Sequence, residues 1–253
     1  MKYEGFQQLI ATMEAAGYDY KAEIALIEQK KQALSVGAAK AFPLSEHIRT
    51  MVYAQLSNNR PWERIADNME HLDVIFCHFD PDALKAKEPA RLTEEVEGLS
   101  CGNRQIQKQM QALKSNIETL ERIARDHGSI DAYYQKTDLV TVIKSLSDFD
   151  GKYKLVTMGV PLVCEYLKGL GLEVVKPDTL LCRLLGRLGY SPKIPATNWE
   201  AIRICQDIGA ETGLSQTEVD TVLWQYCAKK KFEVCTAQPK CHLCGVTHCK
   251  DRR

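Results

Sequence analysis

Four of the ten cysteines lie within the last 19 residues of the 253-residue chain: Cys235, Cys241, Cys244 and Cys249. Their spacings of five, two and four intervening residues bring the thiolates together only if the chain wraps a metal centre. The inner Cys-x2-Cys step lets two sulfurs face one centre from a tight turn, and Pro239 and Gly245 favour the required bends. The sequence therefore predicts a metal-binding loop at residues 235–253.

Two kinds of metal centre suit this loop. Zinc takes four ligands in a tetrahedron, commonly from two separated knuckles, and His242 or His248 can replace a thiolate there. A cubane iron–sulfur cluster also takes four cysteines and is larger, so that it suits the looser spacings. Free exposed thiols at this density would be a chemical liability, which argues against four unliganded cysteines.

Composition and charge narrow the class of protein. Hydrophobic residues make up 45% and charged residues 26% of the chain, which is ordinary for a globular protein. No segment approaches the ~18 consecutive apolar residues of a membrane helix, and the N-terminus does not resemble a signal peptide. We therefore expect a cytoplasmic protein without a membrane partner. The net charge is zero, but residues 227–253 carry seven bases and two acids, which allows a local phosphate contact.

The spacing of apolar residues predicts an all-α fold. Alternating apolar and polar runs are scarce, whereas one stripe at helical spacing covers residues 103–126: Ile106, Met110, Leu113, Ile117, Leu120 and Ile123. Capping boxes at Thr197/Glu200 and Ser215/Glu218 each open a helix. The remaining predicted helices are 4–16, 19–35, 45–58, 61–70, a short one from Pro81, 137–147, 161–168 and 179–188.

Residues 155–190 contain a second group of residues that predicts a functional site. The segment Leu155–Pro161 predicts a tight hairpin in which Gly159 frees the turn and Pro161 begins a helix. A backbone turn that leads into a helix N-terminus favours anions, because its unpaired N–H groups and the helix dipole both attract phosphate. After an extended turn, Asp178 follows Pro177 at the position of an N-cap for the next helix.

These features together resemble the helix-hairpin-helix DNA glycosylases of the endonuclease III superfamily. The turn at residues 175–179 matches the family's turn that bears the catalytic aspartate, and Arg183, Arg187, Leu188 and Gly189 match the helix after it. Residues 219–224 resemble the family's last helix, and many members end in a four-cysteine loop with spacings of six, two and five. The resemblance covers residues 44–249 and implies two helical subdomains with a helix-hairpin-helix motif and a C-terminal [4Fe-4S] loop. We divide the chain into an annex (1–43), a glycosylase body (44–234) and a cluster loop with a basic tail (235–253).

The resemblance implies a monofunctional DNA N-glycosylase of base excision repair, a monomer associated with the nucleoid. A modified base of double-stranded DNA would be flipped into a pocket between a helical subdomain and the cysteine-bearing one. Asp178 would stabilise the positive charge on the sugar and activate water. The other predicted contacts are to DNA: Gly159 and Val160 at a phosphate, Asn58 or Asn59 in the gap left by the base, and Lys240 and Lys250 from the tail.

Two departures from the family pattern bear on function. The lysine that gives bifunctional members their strand-cleaving lyase activity falls on Val160 or Pro161, neither of which is a nucleophile, so we expect no lyase activity. Thr157 replaces the hairpin's first glycine. Two alternatives remain open: a non-catalytic DNA-binding or damage-sensing protein in which Asp178 only caps a helix, and a zinc-bearing helical interaction module. The sequence does not specify which base is excised.

Overall fold

The computed structural model describes residues 2–36 and 41–252, with side chains included except at positions 27 and 30–36. Within these ranges the chain contains fourteen α-helices and no strand, which confirms the predicted all-α class. The helices are α1 (Glu4–Ala15), α2 (Tyr20–Val36), α3 (Leu44–Leu56), α4 (Trp62–Ala66), α5 (Met69–Ile75), α6 (Pro81–Ala86), α7 (Pro89–Gly98), α8 (Ile106–His127), α9 (Ile130–Lys136), α10 (Leu139–Ser147), α11 (Val160–Gly169), α12 (Thr179–Arg187), α13 (Asn198–Thr212) and α14 (Gln216–Cys227).

The chain forms two compact units, and one of them is made of two separate segments of the sequence. The terminal unit consists of residues 1–35 and 171–253, and the central unit consists of residues 36–170. The domain boundaries predicted at residues 43 and 234 stay predictions. No helix within the described ranges combines the length and apolar character needed to cross a membrane.

The central unit is built on α8 and α3. All six residues of the predicted stripe on α8 are buried, and Gly128 ends the helix with a φ of 84°, a left-handed value that glycine adopts without strain. Helix α7 packs against α8, and α11 packs against α3. The hydrophobic core of this unit is thus formed between helices whose apolar faces are readable from the sequence.

In the terminal unit, α12, α13 and α14 pack against one another, and α1 packs against α14. Both predicted capping boxes are present, at Thr197/Glu200 and at Ser215/Glu218. The buried face of α1 consists of Phe6, Leu9 and Met13, which belong to the same hydrophobic cluster as residues of α12–α14. The first helix is therefore an integral part of this core.

Three helix predictions were wrong in extent or missing. The predicted helix 61–70 is two helices, because Asp67 and Asn68 end α4 before α5 begins. Helix α7 was not among the predicted helices; it begins at Pro89, and proline suits the first turn of a helix, where no backbone donor is needed. Helix α9 has only seven residues, too few for a periodic pattern, and is marked by the N-cap Ser129 alone.

Candidate metal centre and nucleic-acid interface

The four predicted ligand cysteines come together in the terminal unit. All four line a single cavity, with Cys235 buried and the other three half-buried. Arg187, Val234, Pro239 and Val246 are among the residues that complete its wall. In the part of the chain that the structure describes, no three His, Cys, Asp or Glu side chains are arranged to hold a single metal ion. The thiols thus surround a common space without converging on one point.

Arg187 holds both ends of the cysteine loop. It is the last residue of α12, and only 4% of its surface is exposed. Its Nη1 donates to the Thr236 carbonyl at 2.6 Å and to Cys235 Sγ at 3.4 Å, and its Nη2 donates to the Ala237 carbonyl at 3.3 Å. Its Nε pairs with Asp251 Oδ2 at 2.9 Å, near the other end of the loop. One buried guanidinium therefore fixes the residues on either side of the cavity.

The environment of Cys235 favours its thiolate form. A hydrogen bond from the Cys227 thiol, assisted by the Arg187 guanidinium, lowers the pKa of Cys235 to about 6. The same hydrogen bond and burial raise the pKa of Cys227, which donates. Burial also raises the pKa of Cys249. Thiolates are the form of cysteine that binds metals, so the Cys235 side is already prepared for a cation.

Helix α1 contacts the same loop, a role that its sequence did not indicate. The backbone N–H of Gly245 donates to Thr12 Oγ1 at 3.1 Å, and that of Thr247 donates to Gln8 Oε1 at 3.1 Å. These bonds span more than 230 residues of sequence. The loop is consequently held by α12 on one side and by α1 on the other.

Asp178 is the N-cap of α12, as the sequence predicted. Its Oδ1 accepts two hydrogen bonds, from the backbone N–H of Leu180 at 2.8 Å and of Leu181 at 3.0 Å. Its side chain is half-buried, and Oδ2 takes no part in the cap. The carboxylate is therefore held in a fixed orientation by one oxygen, and the other oxygen is left for a second role.

In the central unit, a buried amide network joins three loops. Gln55 Nε2 donates to Thr157 Oγ1 at 3.1 Å, and Asn103 Nδ2 donates to the backbone carbonyl of Gln55 at 2.9 Å. Gln109 Nε2 donates to the same carbonyl at 3.2 Å. The loops at 57–60, 100–105 and 156–159 are thereby fixed with respect to one another. Each contains one non-glycine residue in the left-handed region: Asn59 (φ 54°), Ser100 (φ 57°) and Thr157 (φ 66°).

The predicted DNA-contact residues of the central unit lie on these loops. Asn59 is exposed and Asn58 half-buried after the end of α3, while Gly159 is exposed as the N-cap of α11 and Val160 begins that helix. The prediction that Gly159 frees the turn was wrong: its φ of −84° suits any residue, and the left-handed position is Thr157. The hydrogen bond from Gln55 helps to hold Thr157 in this strained conformation.

The tail residues and several unpredicted cations have the exposure that a phosphate contact needs. Lys240 and Lys250 are both exposed, although Lys250 Nζ also donates to the Ser191 carbonyl at 3.1 Å. In the central unit, four cations lie on or next to the first two loops: Arg60, Arg64, Arg104 and Lys108. No pattern in the sequence indicated this group, because its members come from separate segments in a chain without net charge.

Comparison with known proteins leaves the chain without an identified relative. No protein-family model matches it, and neither a curated protein nor a solved structure is significantly similar to it. The fold and the site alone define the class: an all-helical protein with a cavity lined by four cysteines in one unit and a polar surface formed by three loops in the other.

Proposed function

We propose that this chain is a monofunctional DNA N-glycosylase of the helix-hairpin-helix type that carries a [4Fe-4S] cluster in its cysteine loop. The observation that carries the proposal is the geometry of Asp178. Its carboxylate is oriented by two backbone donors on Oδ1, and its Oδ2 remains outside the cap. A carboxylate held in this way suits an electrostatic role at a developing positive charge, because no reorganisation is needed during the reaction.

The reaction requires a base to leave the sugar. As the N-glycosidic bond breaks, positive charge builds on the sugar, and Asp178 Oδ2 stabilises it and orients a water molecule for attack. Water then supplies the oxygen that replaces the base on the sugar carbon, and the carboxylate accepts the proton of that water. The base leaves with the electron pair of the broken bond and takes up a proton, so that one water molecule in total is added across the bond. The target base leaves the DNA stack beforehand, because its glycosidic bond is out of reach inside a duplex.

DNA binding is supported by the surface of the central unit. We assign the helix-hairpin-helix motif to α10, the segment 148–159 and α11. The amide network fixes the hairpin with respect to the two neighbouring loops, and the cations at Arg60 and Arg104 add attraction for phosphate. In this proposal Asn58 or Asn59 fills the gap left by the extruded base, and the backbone at Gly159 and Val160 contacts a phosphate.

A cluster in the cysteine loop is supported by the chemistry of its donors. Four thiols line one cavity, and Arg187 and Tyr226 donate hydrogen bonds to two of the sulfurs, at Cys235 and Cys244. Donors of this kind suit anionic thiolate ligands. The ligands would be Cys235, Cys241, Cys244 and Cys249, and the bound cluster would supply cross-links that hold the loop and present Lys240 toward DNA.

A specific observation also favours the non-catalytic alternative. Asp178 already has a complete structural role as a double cap, so a DNA-binding or damage-sensing protein would need nothing further from it. The two functions differ in whether DNA is chemically changed, and this is the basis of the first experiment.

We expect the wild-type protein to excise at least one base from a panel of duplexes that carry single alkylated, oxidised or deaminated bases. The product should be an intact abasic site that breaks only on alkali or heat, since α11 begins with Val160 and Pro161 rather than a lysine. Gel analysis with and without alkali separates the two steps. Binding without excision of any lesion would favour the alternative function, and borohydride trapping of a protein–DNA adduct would contradict the absence of a lyase step.

We expect the Cys244→Ser protein, purified without oxygen, to lose its brown colour and most of its iron and sulfide. Serine is a poor ligand for the iron of a cluster. The loop also has few apolar side chains that would hold it together without the cluster. Cys205→Ala is the matched control: Cys205 is fully buried in the core of the same unit and is not among the residues that line the cysteine cavity. That control should keep its iron at only a packing cost. Zinc in place of iron in the wild type, or full iron in Cys244→Ser, would overturn the assignment.

A further inference from the structure

Tyr226 directs its hydroxyl at one of the proposed ligands. It lies near the end of α14, is fully buried, and its hydroxyl donates to Cys244 Sγ at 3.2 Å. Its ring packs against Phe232 with centroids 5.3 Å apart, so that the side chain is held among apolar neighbours in one orientation. A buried hydroxyl usually has a partner, and the partner here is a sulfur rather than a carbonyl.

Helix α1 fixes the position of Cys244 opposite that hydroxyl. The next residue, Gly245, donates its N–H to Thr12 Oγ1, and the Thr12 hydroxyl in turn donates to the Gln8 carbonyl at 2.6 Å. A Cβ on Gly245 would lie 2.7 Å from Thr12 Oγ1, closer than Cβ contacts in real proteins, so glycine allows this approach without a shift of the Thr12 side chain. The short bond between Tyr226 and Cys244 is therefore a consequence of packing on both sides.

We propose that Tyr226 is a positioning residue that tunes the cluster through Cys244: its hydroxyl donates a hydrogen bond to the ligand sulfur and raises the cluster's reduction potential. This inference rests on the proposed function, in which the loop holds a [4Fe-4S] cluster. A hydrogen bond to a thiolate ligand withdraws electron density from it and stabilises the more negative, reduced state. The direction is the same whichever redox couple is observed.

Arg187 also donates to a ligand sulfur, as the Cys227 thiol does, but Arg187 cannot separate tuning from folding. It also holds Thr236, Ala237 and Asp251, so its removal changes the whole loop. Tyr226 allows a cleaner test, since Tyr226→Phe removes one oxygen and keeps the ring. The matched control is Tyr190→Phe. Tyr190 lies in the same unit, and its hydroxyl accepts a hydrogen bond from the Phe6 N–H at 2.8 Å, away from the cysteines.

The experiment measures the midpoint potential of the anaerobically purified holoprotein by direct electrochemistry, together with its iron and sulfide content. We expect Tyr226→Phe to keep its cluster and to have a more negative potential than the wild type, and Tyr190→Phe to keep the wild-type potential. A Tyr226→Phe protein with full iron and sulfide and an unchanged potential would overturn the inference. A wild-type protein without iron and sulfide would instead overturn the proposed cluster, so that the two failures are distinguishable.

A second variant covers the case in which Tyr226→Phe does not retain its cluster. Fluorotyrosine at position 226 keeps the shape of the side chain and makes the hydroxyl a stronger donor. We expect the potential to shift in the opposite direction, to a more positive value than that of the wild type. No shift in this protein would also overturn the inference.

Discussion

The Asp178→Asn protein is expected to fold normally and to excise its target base about 100-fold more slowly than the wild type, or slower still. Asparagine caps helices about as well as aspartate, so the bonds to Leu180 and Leu181 can persist. What the variant loses is the negative charge that would face the sugar cation. Single-turnover excision on a lesion-bearing duplex measures this loss, because it isolates the chemical step from product release.

Asp80→Asn is the matched control for this result. Asp80 is also an N-cap aspartate, on α6, where its Oδ1 accepts from the backbone N–H of Ala83 at 2.8 Å. The same chemical change at this cap should leave excision within about two-fold of the wild type. DNA affinity of Asp178→Asn should hold or rise slightly, since a negative charge near phosphates has been removed. Equal excision rates for Asp178→Asn and the wild type would refute the catalytic role of Asp178.

The second large effect is on stability. Arg187→Met is expected to lower the free energy of unfolding of the terminal unit by about 3–5 kcal/mol, because it removes the buried cation that pairs with Asp251 and donates to two backbone carbonyl groups. Urea denaturation followed by tryptophan fluorescence measures this change. A Trp62→Phe background restricts the signal to the terminal unit, since the remaining tryptophans, Trp199 and Trp224, both lie there.

Arg203→Met is the matched control for Arg187→Met. Arg203 is exposed on α13, so its loss should change stability by no more than about 0.5 kcal/mol. All proteins are compared in the same metal state, because ligand binding to the folded form would add its own stabilisation. If Arg187→Met and Arg203→Met unfold at the same urea concentration, Arg187 does not hold the cysteine loop.

The sequence predicted those parts of the fold that depend on nearby residues. The buried stripe of α8 repeats every three or four positions, and the capping boxes at Thr197 and Ser215 each lie within a span of four residues. The grouping of the four cysteines and the cap at Asp178 are local in the same sense. In each case the residues that decide the structure belong to one continuous segment of the chain.

The rest of the candidate site depends on partners that are far apart in sequence. Nothing near Gln55 indicates that it bonds to Thr157, and nothing near Arg187 indicates that it reaches Cys235 and Asp251. The left-handed backbone at Thr157 was missed for a related reason. Glycine at 159 was the local signal for a turn, whereas the strained residue is partly secured by a hydrogen bond from 102 positions away.

The division of the terminal unit between the two ends of the sequence determines the order in which the protein can assemble. Residues 36–170 leave the ribosome as one uninterrupted segment, so the central unit can form its internal contacts before α12 exists. Helix α1 is made earlier, yet its core partners on α14 follow more than 200 residues later. Until then Phe6, Leu9 and Met13 lack their native cover, which leaves an apolar helix face open to chaperones or to premature association. The hydrogen bonds that join the cysteine loop to Gln8 and Thr12 can form only after Gly245 and Thr247 have been made, later than all the helices α1–α14.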